Sequence, residues 1–167
     1  LNKFLFCKNI NEIILVVPES RVANIKKEVA NIKKTKKVLV VSGGYRRQDS
    51  VKNGLLFVSS RSQLVCIHDG ARPFVSEELI KQSIIVCSKN DGAIVANPNF
   101  DTLKTCERGY VKKTIDRNNV WMAQTPQVFW KTKLLHAITI SEKKNMEVTD
   151  ESLMMESLGY KVSVVRG

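Results

Sequence analysis

Several features that mark common functional classes are missing from this 167-residue chain. Its four cysteines, Cys7, Cys66, Cys87 and Cys106, form no C-x-x-C pair and no cluster with histidine, so neither a zinc site nor a redox pair is indicated. No run approaches the roughly 20 apolar residues of a membrane helix, and the first eight residues are too few and too polar for a signal peptide. We expect reduced thiols, with Cys66 and Cys87 in the core, no membrane association, and a location in the cytoplasm or a plastid stroma.

Aromatic residues are also few, at 7% of the chain, although the net charge is +11. Surfaces that bind single-stranded nucleic acid interleave aromatic and basic side chains, whereas many lysines here occur in pairs. These pairs fall in predicted turns and solvated helix faces: Lys26-Lys27, Lys33-Lys34, Lys36-Lys37 and Lys143-Lys144. Attraction of small anionic substrates or a lysine-rich source organism would explain the charge as well, and we do not expect direct nucleic-acid binding.

The order of the apolar runs predicts one α/β domain. Hydrophobic residues make up 43% of the chain and charged residues 26%, which is ordinary for a globular domain of this size. Strands and helices are predicted in alternation, with strands at 12–17, 37–41, 64–68 and 92–97. Helices are predicted at 20–32, from Asp49 or Ser50 to 56, and at 76–90. Because these strands are apolar on both faces, the pattern favours a mostly parallel sheet with helices on both sides.

The alternation breaks after the fourth strand. Residues 102–106 and 110–115 are predicted to form a β-hairpin that carries few residues suited to a core, so we expect an arm over about 98–123 that projects from the body. A strand at 120–124 then leads into Thr125-Pro126-Gln127. The pattern ends with helices at 131–141 and 150–158, the second capped by Thr149, and a strand at 161–165.

Glycines and charged residues follow two successive predicted strands. Asp69-Gly70-Ala71-Arg72 follows the third strand, and Gly43-Gly44 follows the second and precedes Ser50 at a helix start. Ligands of open α/β sheets bind at this edge; there a carboxylate can hold Mg²⁺ and an arginine can bind phosphate. Taken alone, Asp69 and Arg72 could equally form an ion pair that holds a loop, and Gly43-Gly44 could be only a turn.

Together these segments closely resemble the 2-C-methyl-D-erythritol 4-phosphate cytidylyltransferase family of the non-mevalonate isoprenoid pathway. The resemblance spans nearly the whole chain and rests on motifs that occur in the family's order: Gly43-Gly44 with Arg47-x-Asp49-Ser50-Val51 and Asn53-Gly54-Leu55, His68-Asp69-Gly70-Ala71-Arg72-Pro73-Phe74, Asp101-Thr102-Leu103-Lys104, Asp116-Arg117, Gln124-Thr125-Pro126-Gln127-Val128-Phe129 and Thr149-Asp150-Glu151. It implies a Rossmann-like, single nucleotidyltransferase domain over residues 1–167, with the β-arm used in a homodimer.

The resemblance also implies the reaction. The phosphate of methylerythritol phosphate attacks the α-phosphorus of CTP, with Mg²⁺ assisting and without a covalent intermediate, and pyrophosphate leaves. Positioning and charge neutralisation would supply most of the rate. The nearest alternative is ribitol 5-phosphate cytidylyltransferase, which shares the fold and most motifs. A non-catalytic module that binds anions or nucleic acid on the same fold is the alternative from another class.

Site roles follow from the same resemblance. The Gly43-Gly44 backbone and Ser50 would hold the cytosine, and Asp69 with the backbone of Gly70 would orient the ribose or the metal. Thr102 and Arg117 on the arm would bind the polyol phosphate in the partner subunit's site, with Arg117 placing it for attack. Thr125 would help Arg117 to hold the polyol phosphate, and phosphates or polyol would lie near the remaining substrate-binding residues, Arg72 and Thr149.

The chain also departs from the family pattern. The family's glycine-rich phosphate loop and its lysine would precede Leu1, and a late lysine would follow Gly167. On this basis we expect the chain as written to be inactive and its sheet to lack a central strand. Gly70 replaces the family's commoner alanine, which should be harmless if only the backbone is used, and Tyr45 replaces a residue that is often acidic.

Overall fold

The computed structural model describes residues 1–33 and 35–167. The expectation that Lys34 lies in a turn or on a solvated helix face therefore falls outside the described residues. Helices are α1 (Asn2–Phe6), α2 (Glu19–Ala30), α3 (Arg47–Leu55), α4 (Glu77–Ser88), α5 (Lys131–Lys143) and α6 (Glu151–Ser157). Strands are β1 (Glu12–Val17), β2 (Lys37–Ser42), β3 (Leu64–Ile67), β4 (Gly92–Pro98), β5 (Leu103–Glu107), β6 (Tyr110–Ile115), β7 (Trp121–Trp130) and β8 (Val162–Arg166). The predicted α/β class is confirmed.

The strands of the body form two sheets. β1 and β2 pair in parallel, and a second sheet has the order β3-β7-β4-β8. In this second sheet β4 and β8 pair in parallel, while β7 runs antiparallel to both β3 and β4. β3, β4 and β8 therefore share one direction, and the mostly parallel arrangement predicted from the alternating pattern is present.

Helices cover both faces of the second sheet. On one face Ile94 and Phe129 pack with buried residues of α5 and α6, such as Leu134 and Met155. On the other face, Cys87 of α4 packs against buried residues of β4, β7 and β8, which are Ala93, Val95, Val128 and Val165. The alternation of neighbouring β4 residues between the two clusters is the period of two that a strand buried on both faces requires.

The predicted core positions of two cysteines are confirmed. Cys87 is fully buried and Cys66 packs against the same cluster. Burial disfavours the charged thiolate and raises the pKa of Cys66 to about 12 and that of Cys87 to about 11. Both thiols are therefore inert core groups, and Cys106 on the arm is the exposed one.

β7 is longer than the sequence pattern predicts. The predicted strand ends at Gln124, because a proline rarely occurs inside a central strand. The observed strand continues through Pro126 to Trp130, between β3 and β4. A register shift between Ile94 and Ala96 of β4 lies opposite Pro126, so the missing N–H of proline falls where the ladder is already interrupted.

Three helix starts also differ from expectation, whereas Ser76 caps α4 as the acidic first turn suggests. α6 is capped by Asp150, whose carboxylate accepts the N–H of Leu153 at 3.1 Å, so the predicted cap at Thr149 is wrong. α3 begins at Arg47 rather than at Asp49 or Ser50, because the Asp49 carboxylate binds the backbone N–H of Arg46. α2 begins after Pro18, one residue before Ser20.

The predicted hairpin forms β5 and β6, whose side chains are almost all exposed. The hairpin follows the end of the β4–β7 ladder, whose last pair is Pro98 and Trp121. Next to that pair, the Asn99 N–H donates to the Val120 carbonyl at 2.9 Å. Among residues 1–33 and 35–167, no helix is both long and apolar enough to span a bilayer.

Candidate functional site

Three segments that are far apart in sequence meet beside the carboxyl end of β3. They are the start of α3, the loop that follows β3, and the start of α6. Arg47 joins them: its Nη1 lies 2.8 Å from both carboxylate oxygens of Glu151, and its Nη2 lies 3.3 Å from Oδ1 of Asp69. The sequence predicted that the loops after β2 and β3 face one crevice. The Arg47–Asp69 contact brings the two segments together, although β2 and β3 belong to separate sheets.

Asp69 is fixed from two sides. Its backbone N–H donates to Oγ1 of Thr125 at 3.1 Å, and its carboxylate faces Arg47 through Oδ1 and Arg72 Nε through Oδ2, the latter at 3.7 Å. The Asp69 side chain remains 37% exposed. Its carboxylate is therefore held in place and is still open to a ligand on the Oδ2 side.

The Asp69–Arg72 ion pair considered for this loop is present but loose. Its 3.7 Å separation is longer than a hydrogen bond, and the Arg72 side chain is 43% exposed. An exposed pair of this kind adds little stability, so Arg72 is free to turn toward an anion. An added Cβ at Gly70 would have nothing within 4 Å, which agrees with a position where only the backbone is needed.

The Thr125 hydroxyl is buried and fully engaged. Besides accepting the Asp69 N–H, it lies 3.1 Å from Nδ1 of His68, and Nε2 of His68 lies 2.9 Å from the Arg72 carbonyl. This pattern fits a neutral imidazole that donates from Nε2 and accepts at Nδ1. Burial lowers the pKa of His68, which favours the same neutral form.

Glu151 has no solvent exposure, and among the described residues its one charged partner within hydrogen-bond distance is Arg47. Burial raises the pKa of this carboxyl, and the Arg47 guanidinium opposes the shift. An unpaired buried carboxylate is costly, so the pair commits Arg47 to this position.

The Gly43-Gly44 segment lies directly against the start of α3. An added Cβ at Gly43 would lie 2.7 Å from Oγ of Ser50, and one at Gly44 would lie 2.4 Å from Cβ of Asp49. The Gly44 N–H donates to Oγ of Ser50 at 3.0 Å. Both glycines are therefore needed for the backbone to approach the helix, and Ser50 closes the loop.

The predicted residue Thr149 is exposed and stands just before the α6 cap. The cap itself is Asp150, whose Oδ2 accepts a hydrogen bond from Nε2 of Gln127 at 2.8 Å. This bond joins β7 and α6 beside the Asp69 cluster. In the part of the chain that the structure describes, Oε1 of Gln127 is buried without a hydrogen-bond partner.

The arm residues lie apart from this cluster. Thr102 precedes β5 and is exposed, and Arg117 follows β6 and donates from Nη1 to the Phe100 carbonyl. Among the residues described, no hydrogen bond or ion pair joins either of them to Asp69, Arg72 or Arg47. The chain by itself therefore does not bring the two arm residues to the cluster.

Asp69 is the carboxylate that the cluster offers to a metal ion, because Glu151 is buried against Arg47. Outside residue 34, no group of three or more His, Cys, Asp or Glu side chains could hold an ion. Asp69 can supply one carboxylate oxygen, which is enough for Mg²⁺ when substrate phosphates and water complete the shell. The residues present therefore fit a cation that arrives with a nucleotide.

Two residues of the cluster were not assigned roles from the sequence. Arg47 and Glu151 occur within the quoted motifs, but a charged residue in the first turn of a helix is ordinarily solvated. The 104-residue separation between them gives no local signal. Only a family pattern that repeats both residues could have suggested a pair.

Comparison with known proteins gives a consistent result. The model of the family described as IspD, 2-C-methyl-D-erythritol 4-phosphate cytidylyltransferase, matches residues 1–167. The chain is 40% identical to the Alkaliphilus oremlandii protein of that name over 160 residues, covering 95% of this chain and 68% of the relative. It is 37% identical to the Clostridioides difficile protein of the same name, covering 95% and 67%.

Solved structures agree with the sequence relatives. The 4-diphosphocytidyl-2C-methyl-D-erythritol synthase of Anaerococcus prevotii superimposes with a TM-score of 0.88 at 33% identity, covering 99% of this chain and 75% of that one. The 2-C-methyl-D-erythritol 4-phosphate cytidylyltransferase of Thermus thermophilus gives 0.81 at 28% identity, covering 99% and 76%. The chain belongs to the 2-C-methyl-D-erythritol 4-phosphate cytidylyltransferase family.

Proposed function

We propose that this protein transfers the cytidylyl group of CTP to 2-C-methyl-D-erythritol 4-phosphate and releases pyrophosphate, as a step in isoprenoid precursor biosynthesis in the cytoplasm or a plastid stroma. One observation carries the proposal: Arg47 joins the start of α3, the Asp69 loop and the start of α6 into one cluster. These are the segments that carry the family's motifs. Their convergence gives a single crevice edge with a carboxylate, two guanidinium groups and a close-packed glycine loop.

The glycine loop supports the nucleotide half of the proposal. Gly43 and Gly44 lie so close to α3 that the backbone, rather than side chains, faces outward there. Backbone N–H and C=O groups in such a loop would pair with the edge of a cytosine, and the glycine backbone would exclude the larger purines. Ser50 would act by holding the loop closed through its bond to Gly44.

Asp69 and Arg72 support the phosphate half. The open Oδ2 side of Asp69 would hold Mg²⁺ or the ribose together with the Gly70 backbone, and the loosely paired Arg72 would turn to a phosphate. When bound, the ion would neutralise charge on the triphosphate oxygens. The attacking phosphate is already ionised near neutral pH, so the side chains orient and neutralise rather than abstract a proton.

Thr125 would contribute from the buried side of the same cluster, and Thr149 from its exposed side. The Thr125 hydroxyl is engaged by Asp69 and His68, so its contribution would be to fix the Asp69 backbone beside the substrate. Thr149 is exposed one residue before the α6 cap, where its hydroxyl can meet a phosphate or a polyol oxygen.

A homodimer completes the proposed site. The arm exposes several large apolar side chains, Tyr110, Val111, Ile115, Trp121 and Met122, which a second subunit would cover. Thr102 and Arg117 lie on this arm and, among the described residues, make no hydrogen bond or ion pair to Asp69, Arg72 or Arg47. They would therefore bind the polyol phosphate in the partner's site. Arg117 would then place the attacking phosphate.

Product identification tests the proposal. The full-length gene product would be incubated with CTP and Mg²⁺ and with either methylerythritol phosphate or ribitol phosphate, and the mixture followed by phosphorus NMR. We expect a new diphosphate diester together with pyrophosphate for the first polyol only. A diester formed only from ribitol phosphate would assign the protein to the other reaction.

A further inference from the structure

The Arg47–Glu151 pair has a geometry that a simple structural tie does not require. Glu151 is fully buried, and Nη1 of Arg47 reaches both of its oxygens at 2.8 Å. A buried carboxylate that lost this partner would be strongly unfavourable. The pair therefore fixes the guanidinium plane of Arg47 at one corner.

The opposite edge of the same guanidinium faces Asp69. Nε and Nη2 lie 3.4 and 3.3 Å from Oδ1 of Asp69, which is longer than the contacts to Glu151. A planar guanidinium can serve two carboxylates from its two edges, whereas a lysine offers one point charge. Arg47 is held by its inner partner and in turn orients its outer one.

Asp69 is thereby constrained at three of its four polar groups, since its backbone carbonyl also accepts the Arg72 N–H at 3.0 Å. Thr125 holds the backbone N–H and Arg47 holds Oδ1, while in the described part of the chain the one contact to Oδ2 is the partly exposed Arg72 at 3.7 Å. The oxygen left open is the one on the side of Arg72. The arrangement therefore sets the direction of Oδ2 of Asp69, in addition to any stability that it contributes.

We propose that Glu151 is a positioning residue that acts through Arg47 to orient the Asp69 carboxylate, so that Oδ2 is presented to the metal–nucleotide substrate. The inference rests on the proposed function, because it assigns Glu151 a part in that same site. Glu151 itself touches no substrate. Groups that orient a metal-binding side chain in this way typically change metal affinity or activity by about 10- to 100-fold when removed.

The test is CTP binding by calorimetry, with Mg²⁺ and with a chelator, together with thermal unfolding of each variant. Glu151→Gln removes the charge that fixes Arg47. Arg47→Lys keeps a cation for the buried Glu151 but cannot reach both carboxylates, so it serves if the first variant fails to fold. The matched control is Asp91→Asn, a carboxylate-to-amide change in an ion pair with Lys133, just before β4 and at the opposite end of the sheet.

We expect Glu151→Gln and Arg47→Lys each to weaken CTP binding in Mg²⁺ by about tenfold, with little change when the chelator is present. Asp91→Asn should lower thermal stability and leave both affinities unchanged. In an Asp69→Asn background, Glu151→Gln should add nothing further, since its effect passes through Asp69.

Three results would overturn the inference. Glu151→Gln or Arg47→Lys could alter unfolding while the Mg²⁺-dependent affinity stays at the wild-type value, which would leave the pair a structural tie. The effects of Glu151→Gln and Asp69→Asn could be additive. Wild-type protein that neither binds CTP nor forms the diester would refute the proposed function and this inference with it, whereas wild-type turnover with unaffected variants refutes this inference alone.

Discussion

Replacing Gly44 with alanine tests whether the glycine loop is set by its approach to α3. The added Cβ would lie 2.4 Å from Cβ of Asp49 and 3.2 Å from the Asp49 carbonyl carbon. Neither atom is the end of a flexible side chain, so the loop must move away from the helix. That movement also breaks the 3.0 Å bond from Gly44 N–H to Oγ of Ser50.

These contacts set the loss in the free energy of unfolding expected for Gly44→Ala. Overpacking of this kind costs about 1–3 kcal/mol, and a typical hydrogen bond contributes about 1 kcal/mol. Because the loop is partly exposed and can relax, we expect Gly44→Ala to lower the free energy of unfolding by about 2 kcal/mol. For a domain of this size that corresponds to a fall in Tm of about 4–8 °C.

Gly70→Ala is the matched control in the neighbouring loop. An added Cβ there meets nothing within 4 Å, and Gly70 has no positive φ. The substitution should be neutral or stabilise by up to about 1 kcal/mol. Urea denaturation of both variants measures the difference, and CTP affinity should fall only for Gly44→Ala. Equal stability of the two variants would refute the argument that steric closeness fixes the glycine loop.

Three further predictions follow from single contacts. Thr125→Val leaves the Asp69 N–H without its acceptor and should destabilise by about 1–3 kcal/mol, whereas Thr125→Ser should keep most of the stability; denaturation curves decide. Gly92→Ala would place a methyl group 2.5 Å from a ring carbon of the fully buried Phe129 and should cost about 1–3 kcal/mol in the same assay, and a neutral result would contradict the packing described. Burial lowers the pKa of His68, so its contribution to stability is complete above the unfolded pKa of about 6.5 and is lost as pH falls through the lower folded value. A Tm–pH profile should therefore show less acid loss for His68→Gln than for the wild type, and identical profiles would refute this assignment.

The α/β alternation was predictable because its signals are local. Strands buried on both faces, such as β4, give continuous apolar runs, and Ser76 before two acids marks a helix start. β7 was predicted too short because local chemistry at Pro126 argues against a strand, while pairing on both sides decides in its favour. The cap of α6 was assigned to Thr149 because threonine and aspartate are both good caps, and only geometry separates Thr149 from Asp150.

The site was predictable in part. Asp69, Arg72 and the Gly43-Gly44 loop follow consecutive predicted strands, and loops of this kind were expected to meet at one edge. They do meet, through the contact of Arg47 with Asp69, although β2 and β3 belong to separate sheets. The pair of Arg47 with Glu151 could not be predicted in this way, since it spans 104 residues and a buried glutamate looks like a solvated one in a single sequence. The roles of Thr102 and Arg117 remain predictions that depend on a second subunit.

Cytidylyl transfer that depends on Asp69 is tested most directly by steady-state release of pyrophosphate. The full-length gene product and its Asp69→Asn variant would each be given methylerythritol phosphate with either CTP or ATP. We expect turnover that requires both CTP and the polyol phosphate and that is far slower with ATP. The Asp69→Asn variant should lose most of this turnover while its thermal stability stays unchanged. No turnover from folded wild-type protein, or turnover that survives unaltered in Asp69→Asn, would contradict this expectation.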